Sequence, residues 1–265
     1  MQTDTIAKDY FAFVQSHRNK ESITNLTATF PLLQDWVKAG ANIVFGQRSA
    51  IVLQKDTENI LRLFFFVENA DAMHEAFALV PKTQRDVVCE VVGRDDRTGN
   101  AIAALSAAGA VLYAKFQRMI LKPIVRETTL DLRQVEAACP EDAGEILEIT
   151  HAAFDRITAH MHDAQQLRQM ISAGEVLLVR RDGRIAGFSI FDSTHGRVML
   201  LDHVVTRPEY RGQKIARCIL MKKLQATPKA ESCILWINAN CHGPIAYHES
   251  NGFKADGTYC NIFTR

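Results

Sequence analysis

No stretch of the 265 residues is apolar for long enough to cross a bilayer. The longest candidate, 101–114, is too short and is broken by Ser106 and Gly109, so no membrane partner is expected. The first residues, MQTDTIAKDYFAF, lack a basic region leading into an apolar core, and no secretory signal is expected there. Excess charge is missing as well. The formal net charge of +1 is too small for broad electrostatic attraction to nucleic acid. The six cysteines, Cys89, Cys139, Cys218, Cys233, Cys241 and Cys260, form no Cys-x-x-Cys pair, and most lie in apolar segments. They are expected to be reduced, buried thiols of a cytoplasmic protein rather than a disulfide framework. Hydrophobic residues at 47% and charged residues at 23% belong to a folded globular chain. Its length suits two domains.

One stretch, VMLLDHVVTRPEYRGQKIARCILMKKL at 198–224, organises the rest. Residues 198–205 are almost continuously apolar, as a strand buried on both faces would be. Pro208 cannot donate to a ladder and restricts Arg207, so the strand should end there. Ile215, Ile219, Leu220 and Leu224 then recur at helical spacing. The turn between strand and helix, Arg211-Gly212-Gln213-Lys214-Ile215-Ala216, points unpaired N–H groups at one spot, at the positive end of the helix dipole. Arg211 and Lys214 add cations. Such a turn is either an ordinary βα turn with a basic solvated side or a phosphate cradle.

The surrounding pattern, Val-Val-Thr-Arg-Pro-Glu-Tyr-Arg-Gly-Gln-Lys-Ile-Ala, resembles the acyl-CoA-binding motif of the GNAT superfamily of N-acyltransferases. Arg211, Gly212 and Ala216 match that motif, whereas Lys214 stands where a central Gly is usual. A side chain there must point away from the diphosphate or reach round to bind it. The resemblance implies that the backbone of Gly212, Gln213, Lys214, Ile215 and Ala216 holds the pyrophosphate, beside Arg211. It also implies that Val204, Val205 and Thr206 hold the pantetheine arm through their backbone. A second segment, 240–253, resembles the family's Asn…Ala…Leu-Tyr-Glu-Lys-x-Gly-Phe. There Asn240 would touch the pantetheine and a nearby side chain would protonate the leaving thiolate. Counting from Asn240 gives that role to Tyr247, and counting back from Gly252-Phe253 gives it to His248. The helix fixes rotation better than a loop does, which favours His248.

A general base is sought on the central strand, where Asp202 and His203 precede the acyl site. Successive strand residues face opposite sides, so only one of the two should face a given side. His203 suits proton transfer near neutral pH. His151, His160 and His162 gather in the helical segment before the lobe's second strand, a region that often lines the acceptor pocket in this family. His160 and His162, two apart, make a poor helical metal pair. No metal is expected.

The order of elements also implies the fold. Residues 135–265 read as an α/β (α+β) domain of GNAT type, carrying the cofactor and the chemistry. Residues 122–134 read as a polar linker. Residues 1–121 share the later part of the same element order and form a degenerate, non-catalytic GNAT-like lobe. Tandem domains are expected, each a mixed central sheet flanked by helices. Glu68 and Asp71 occupy the first lobe's equivalent turn and would repel a diphosphate, so no CoA is expected there. The implied activity is transfer of an acetyl (acyl) group from acetyl-CoA to an amine of a small molecule or peptide. The alternative is a GNAT-like domain that senses acyl-CoA or serves as a scaffold without turnover. A homodimer is compatible with either, through a subunit contact made by the first lobe.

Overall fold

The structure of the protein, a computed structural model, describes residues 2–57, 59–194 and 196–265. It divides into two compact units, Met1–Phe116 with Gly257–Arg265, and Gln117–Asp256.

The first unit begins with α1 (Gln2–His17), β1 (Ile23–Thr24), α2 (Phe30–Lys38), β2 (Asn42–Phe45), β3 (Ser49–Thr57) and β4 (Ile60–Val67). There follow α3 (Met73–Ala78), β5 (Asp86–Gly93), α4 (Asp95–Ala107) and β6 (Val111–Leu121), the last five residues of which belong to the second unit. β3 and β4 alternate, so one sheet face packs Ala50, Val52 and Phe66 against Ala7, Tyr10 and Leu33 of α1 and α2. The other packs Ile51, Leu53, Leu63 and Phe65 against Met73, Phe77 and Leu105 of α3 and α4. α4 begins with Asp95 and Asp96 in its first turn, where carboxylates interact favourably with the helix dipole.

The second unit contains β7 (Val135–Ala137), α5 (Ala143–Ala153), α6 (Ala164–Ser172), β8 (Val176–Arg181), β9 (Arg184–Asp192) and β10 (Val198–Thr206). These are followed by α7 (Ile215–Ala226), β11 (Ser232–Asn238) and α8 (His242–Ser250). Its strands lie in the order β11-β10-β9-β8-β7. β10 runs parallel to β11 and antiparallel to β9. β8 shows why both faces are buried. Val176 and Leu178 pack with Ile146, Leu167 and Ile171 of α5 and α6, while Leu177 and Val179 pack with Ile215, Ile219 and Leu224 of α7. The resulting mixed α/β architecture, a mixed sheet flanked by helices, has the expected class.

The last strand, β12 (Lys254–Thr264), departs from the expected division at 122–134. It pairs antiparallel with β5, from Tyr259 opposite Gly93 to Thr264 opposite Val88. Residues 257–265 thereby sit in the first unit. The partner of a strand is fixed by cross-strand packing far away in sequence, and no local pattern in 254–264 encodes it.

Gly187 on β9 lies opposite Thr206. A Cβ there would stand 2.8 Å from the Val205 carbonyl oxygen and 3.0 Å from Ile215 Cγ2. The close approach of β9 to β10 and to the start of α7 therefore needs a residue without a side chain. Gly187→Val should lower the unfolding free energy by about 1–3 kcal/mol, through overpacking of backbone that has nowhere to move. Urea denaturation followed by circular dichroism checks this.

Candidate active site

The parallel ladder between β10 and β11 covers only Val198–Leu200 against Ser232–Ile234. The antiparallel ladder to β9 continues to Thr206. From Leu201 onward β10 thus keeps β9 as its partner and leaves β11, and the Thr206 carbonyl accepts from Arg211 Nε at 3.5 Å. Sequence alone could not show this separation.

Beyond β10 a short helical turn, Pro208–Tyr210, leads to Arg211 in extended conformation. Gly212 has φ +80° with open space around its missing Cβ, so its freedom of φ is what the turn uses. Lys214, the residue before α7, is left-handed at φ 59°, ψ 17°. A central glycine would reach this conformation freely. Lysine adopts it at a cost of about 1–2 kcal/mol, and its side chain stays exposed. No side chain caps α7, so the first N–H groups of the helix are left to solvent or to an anion. Arg211, Gln213 and Lys214 are exposed around them. Ile215 is buried in the α7 core, which leaves only its backbone to contribute.

The first unit shows what the equivalent opening becomes when it is filled. Its β4–β5 ladder also stops after three pairs, Ile60–Arg62 against Asp86–Val88. There β1 pairs with β4 through Ile23 and Thr24. Next to β1, Asn25 donates through Nδ2 to the carbonyls of Leu63 on β4 and Glu90 on β5, at 3.1 and 3.0 Å. Its Oδ1 accepts from the Phe65 N–H at 2.7 Å. The gap between these strands is bridged by the chain itself. At the following turn Asn69 Oδ1 accepts from the Ala72 N–H at 3.1 Å, which occupies a donor that an anion would need.

On β10, Asp202 and His203 do not divide between opposite faces. Leu201 lies opposite Phe191 and His203 opposite Ile190, so Asp202 is an extra residue, a β-bulge. The bulge re-aims its side chain. Asp202 Oδ2 lies 3.0 Å from His203 Nδ1, and His162 Nε2 donates to the same oxygen at 2.8 Å. Burial by itself would raise the Asp202 carboxyl, but the two imidazoles outweigh it and hold the group well below the usual carboxylate range. His203 is 3% exposed and edge-on to Phe154, with ring centroids 4.8 Å apart. Its Nδ1 is close to the carboxylate but off the direction of a hydrogen bond, and has no aligned partner. His162, at 20% exposure, is the reachable imidazole.

Sequence reasoning placed His162 among pocket histidines without its carboxylate. The local signal that positions it is Asp163, which caps α6 by accepting from the N–H groups of Gln165 and Gln166. Asn240 is exposed in the turn before α8, its N–H held by Asn238 Oδ1 at 2.9 Å.

The neighbours on α8 have different surroundings. Burial raises the Tyr247 hydroxyl to about 12, only partly offset by the neighbouring Arg217 and the Asn251 amide. Its charge neighbours, Arg217 and Cys218, belong to α7. His248 is buried edge-on to Phe253, with centroids 5.5 Å apart, and its Nδ1 has no partner. Desolvation lowers its pKa from 6.5 to about 4. The unfolded chain therefore binds the proton first as pH falls, and stability should decline from about pH 6.5 to about pH 4. The loss attributable to His248 is on the order of 3 kcal/mol. A His248→Asn variant should lose that part of the slope, as measured by urea midpoints across this range.

A family model described as "Acetyltransferase (GNAT) domain" matches residues 172–255. No curated protein matches the sequence. Among solved structures, a GCN5-related N-acetyltransferase from Sphaerobacter thermophilus is 16% identical, with TM-score 0.60 over 98% of this chain and 91% of that one. One from Kribbella flavida is 13% identical, with TM-score 0.61 over 87% of this chain and 91% of that one. A tandem GNAT protein from the clavulanic acid biosynthesis pathway is 13% identical, with TM-score 0.56 over 100% of this chain and 87% of that one. At these identities the structures share the fold. Residues 172–255 match the GNAT acetyltransferase domain, and the chain as a whole has the fold of these structures, the tandem GNAT protein among them.

Proposed function

We propose that the second unit transfers an acetyl group from acetyl-CoA to an amine of a small molecule or peptide, by direct attack. The observation that carries this reading is the opening of β10 from β11 immediately before an uncapped α7. Two features fit an acyl-CoA there. The α7 N–H groups beside Arg211 and Lys214 suit a diphosphate, and the buried Nδ1 of His248 has no protein partner.

Acetyl-CoA, when bound, supplies the acetyl group as a thioester. Val204, Val205 and Thr206 offer backbone groups to the arm, and Asn240 lies at the mouth of the same segment. His162, hydrogen-bonded through Nε2 to Asp202, keeps Nδ1 to take a proton from the amine. Asp202 holds the tautomer and favours the imidazolium that results. His203, buried behind it, is a positioning residue. His248 is neutral near pH 7, so it serves by donating an N–H hydrogen bond to the departing sulfur. Tyr247 packs toward α7. The first unit, whose opening Asn25 bridges, is read as non-catalytic.

Titration calorimetry should find one equivalent of acetyl-CoA per chain. Arg211→Glu should weaken binding by roughly tenfold, since reversing one charge near a diphosphate changes the Coulomb energy by about 1.4 kcal/mol in water. Thiol release with pooled amines then separates turnover from sensing. Binding without release would select the sensor reading, and unchanged affinity in the Arg211 variant would remove the cradle.

A further inference from the structure

We propose that His162, Asp202 and His203 form a binding site for a divalent transition-metal ion such as Zn²⁺, and that the ion, when bound, blocks the proton acceptor. Each of the three residues offers one ligand atom, and these atoms lie within 4.8 Å of one another. Two nitrogens and one carboxylate oxygen are the donor set of many three-residue zinc sites, with a further position left open. Hard ions such as Mg²⁺ prefer oxygen donors and are excluded by two imidazoles.

The independent observation is His203. Its side chain is 3% exposed, and its Nδ1 faces Asp202 Oδ2 at 3.0 Å without the alignment of a hydrogen bond. A buried imidazole nitrogen with no aligned partner carries an unmet cost, and coordination to an ion would satisfy it. The two contacts to Asp202, 2.8 and 3.0 Å, are shorter than the separation of about 3.4 Å between ligands at zinc distances of roughly 2.1 Å in a tetrahedron. The partners must therefore open by a few tenths of an ångström. Asp202 and His162 are 23% and 20% exposed, and both side chains have room to give. The bulge at Asp202 makes the cluster, since an unbroken strand would send Asp202 and His203 to opposite faces. His162 arrives from forty positions away in sequence. The pair His160 and His162 is not involved.

The blocking effect rests on the acyltransfer reading, whereas the binding does not. Coordination consumes the lone pair of one His162 nitrogen and leaves the other protonated, so no base remains.

The test uses full-length chain with the two exposed thiols removed, Cys139→Ser and Cys241→Ser, so that a sulfur site cannot be mistaken for this one. Calorimetry should give one Zn²⁺ per chain with a Kd of roughly 1 µM or tighter. Co²⁺ should give visible absorption of a tetrahedral nitrogen and oxygen site, and Mg²⁺ should give no signal. Separate His162→Gln and Asp202→Asn variants should each weaken Zn²⁺ at least about a hundredfold, because they remove a ligand and not an outer partner. Acetyl-CoA binding, measured on the same samples, reports that the variants are folded. No Zn²⁺ binding below about 100 µM, or affinity unchanged in both variants, overturns the site. Zn²⁺ binding that fails to slow thiol release in an active protein overturns the blocking effect and keeps the site. If the protein proves inactive with every amine, Zn²⁺ and Co²⁺ binding still decide whether the metal site exists.

Discussion

His162→Ala is expected to lower kcat/KM for the amine by about 10²- to 10⁴-fold, the range a positioned general base contributes. Affinity for acetyl-CoA should stay close to wild type, because His162 lies at the entry to α6 and the cradle lies at α7. The side chain is one-fifth exposed, so its loss leaves a gap that small molecules can enter. Added imidazole should restore part of the rate. Asp202→Asn should have a comparable effect for a different reason. The amide keeps an acceptor for the His162 N–H but loses the charge that favours an imidazolium, and it can present the wrong group to His203. Steady-state rates with each variant check these outcomes. Full activity in His162→Ala with a crippled Asp202→Asn would make the carboxylate the direct acceptor. Full activity in both would leave deprotonation to solvent.

His248→Ala is expected to reduce kcat by about 10²- to 10³-fold, the effect of removing one hydrogen-bond donor to developing negative charge in an enclosed site. The neutral ring explains the size. With a pKa lowered to about 4 by desolvation, His248 is not an imidazolium at neutral pH and offers a hydrogen bond rather than a full proton. Tyr247→Phe should change kcat little, and it keeps the bond from Asn251 Nδ2, which goes to the Tyr247 main-chain carbonyl at 2.7 Å. Single-turnover measurements separate the chemical step from product release. A severe loss in Tyr247→Phe with a mild one in His248→Ala would reverse the roles. It would mean that the hydroxyl, and not the orphan imidazole nitrogen, turns to the sulfur.

These expectations rest on features of unequal visibility in the chain. The turn from Arg211 to Ala216 was legible because local constraints dominate it. Pro208 stops a strand, Gly212 takes a positive φ, and Ile215, Ile219 and Leu224 begin a helix with the correct period. The departure at Lys214 was also visible, and the structure resolves it as a lysine held in the left-handed region. Most element positions in the second half follow from the same kind of local signal. By contrast, the side chain that meets Asp202 was not legible. A strand of regular alternation separates Asp202 from His203, and only the bulge, a mismatch between β10 and β9, brings them together. Nothing in the residues around His162 announces a carboxylate forty positions later.

The first half shows the same division. Glu68 and Asp71 at the turn after β4 are local features, readable directly from the sequence. The bridge by Asn25 was hidden, since it depends on β1 lying beside β4 and on Glu90 standing across the gap. The sequence by itself determined the class of fold, the strand–turn–helix around Gly212 and the family resemblance, because backbone freedom and apolar period act over a few residues. Only the tertiary structure decided where β10 leaves β11, which lobe owns β12 and which imidazoles share Asp202. Strand partners, bulges and buried polar contacts are set by packing between segments whose separation along the chain carries no record of it.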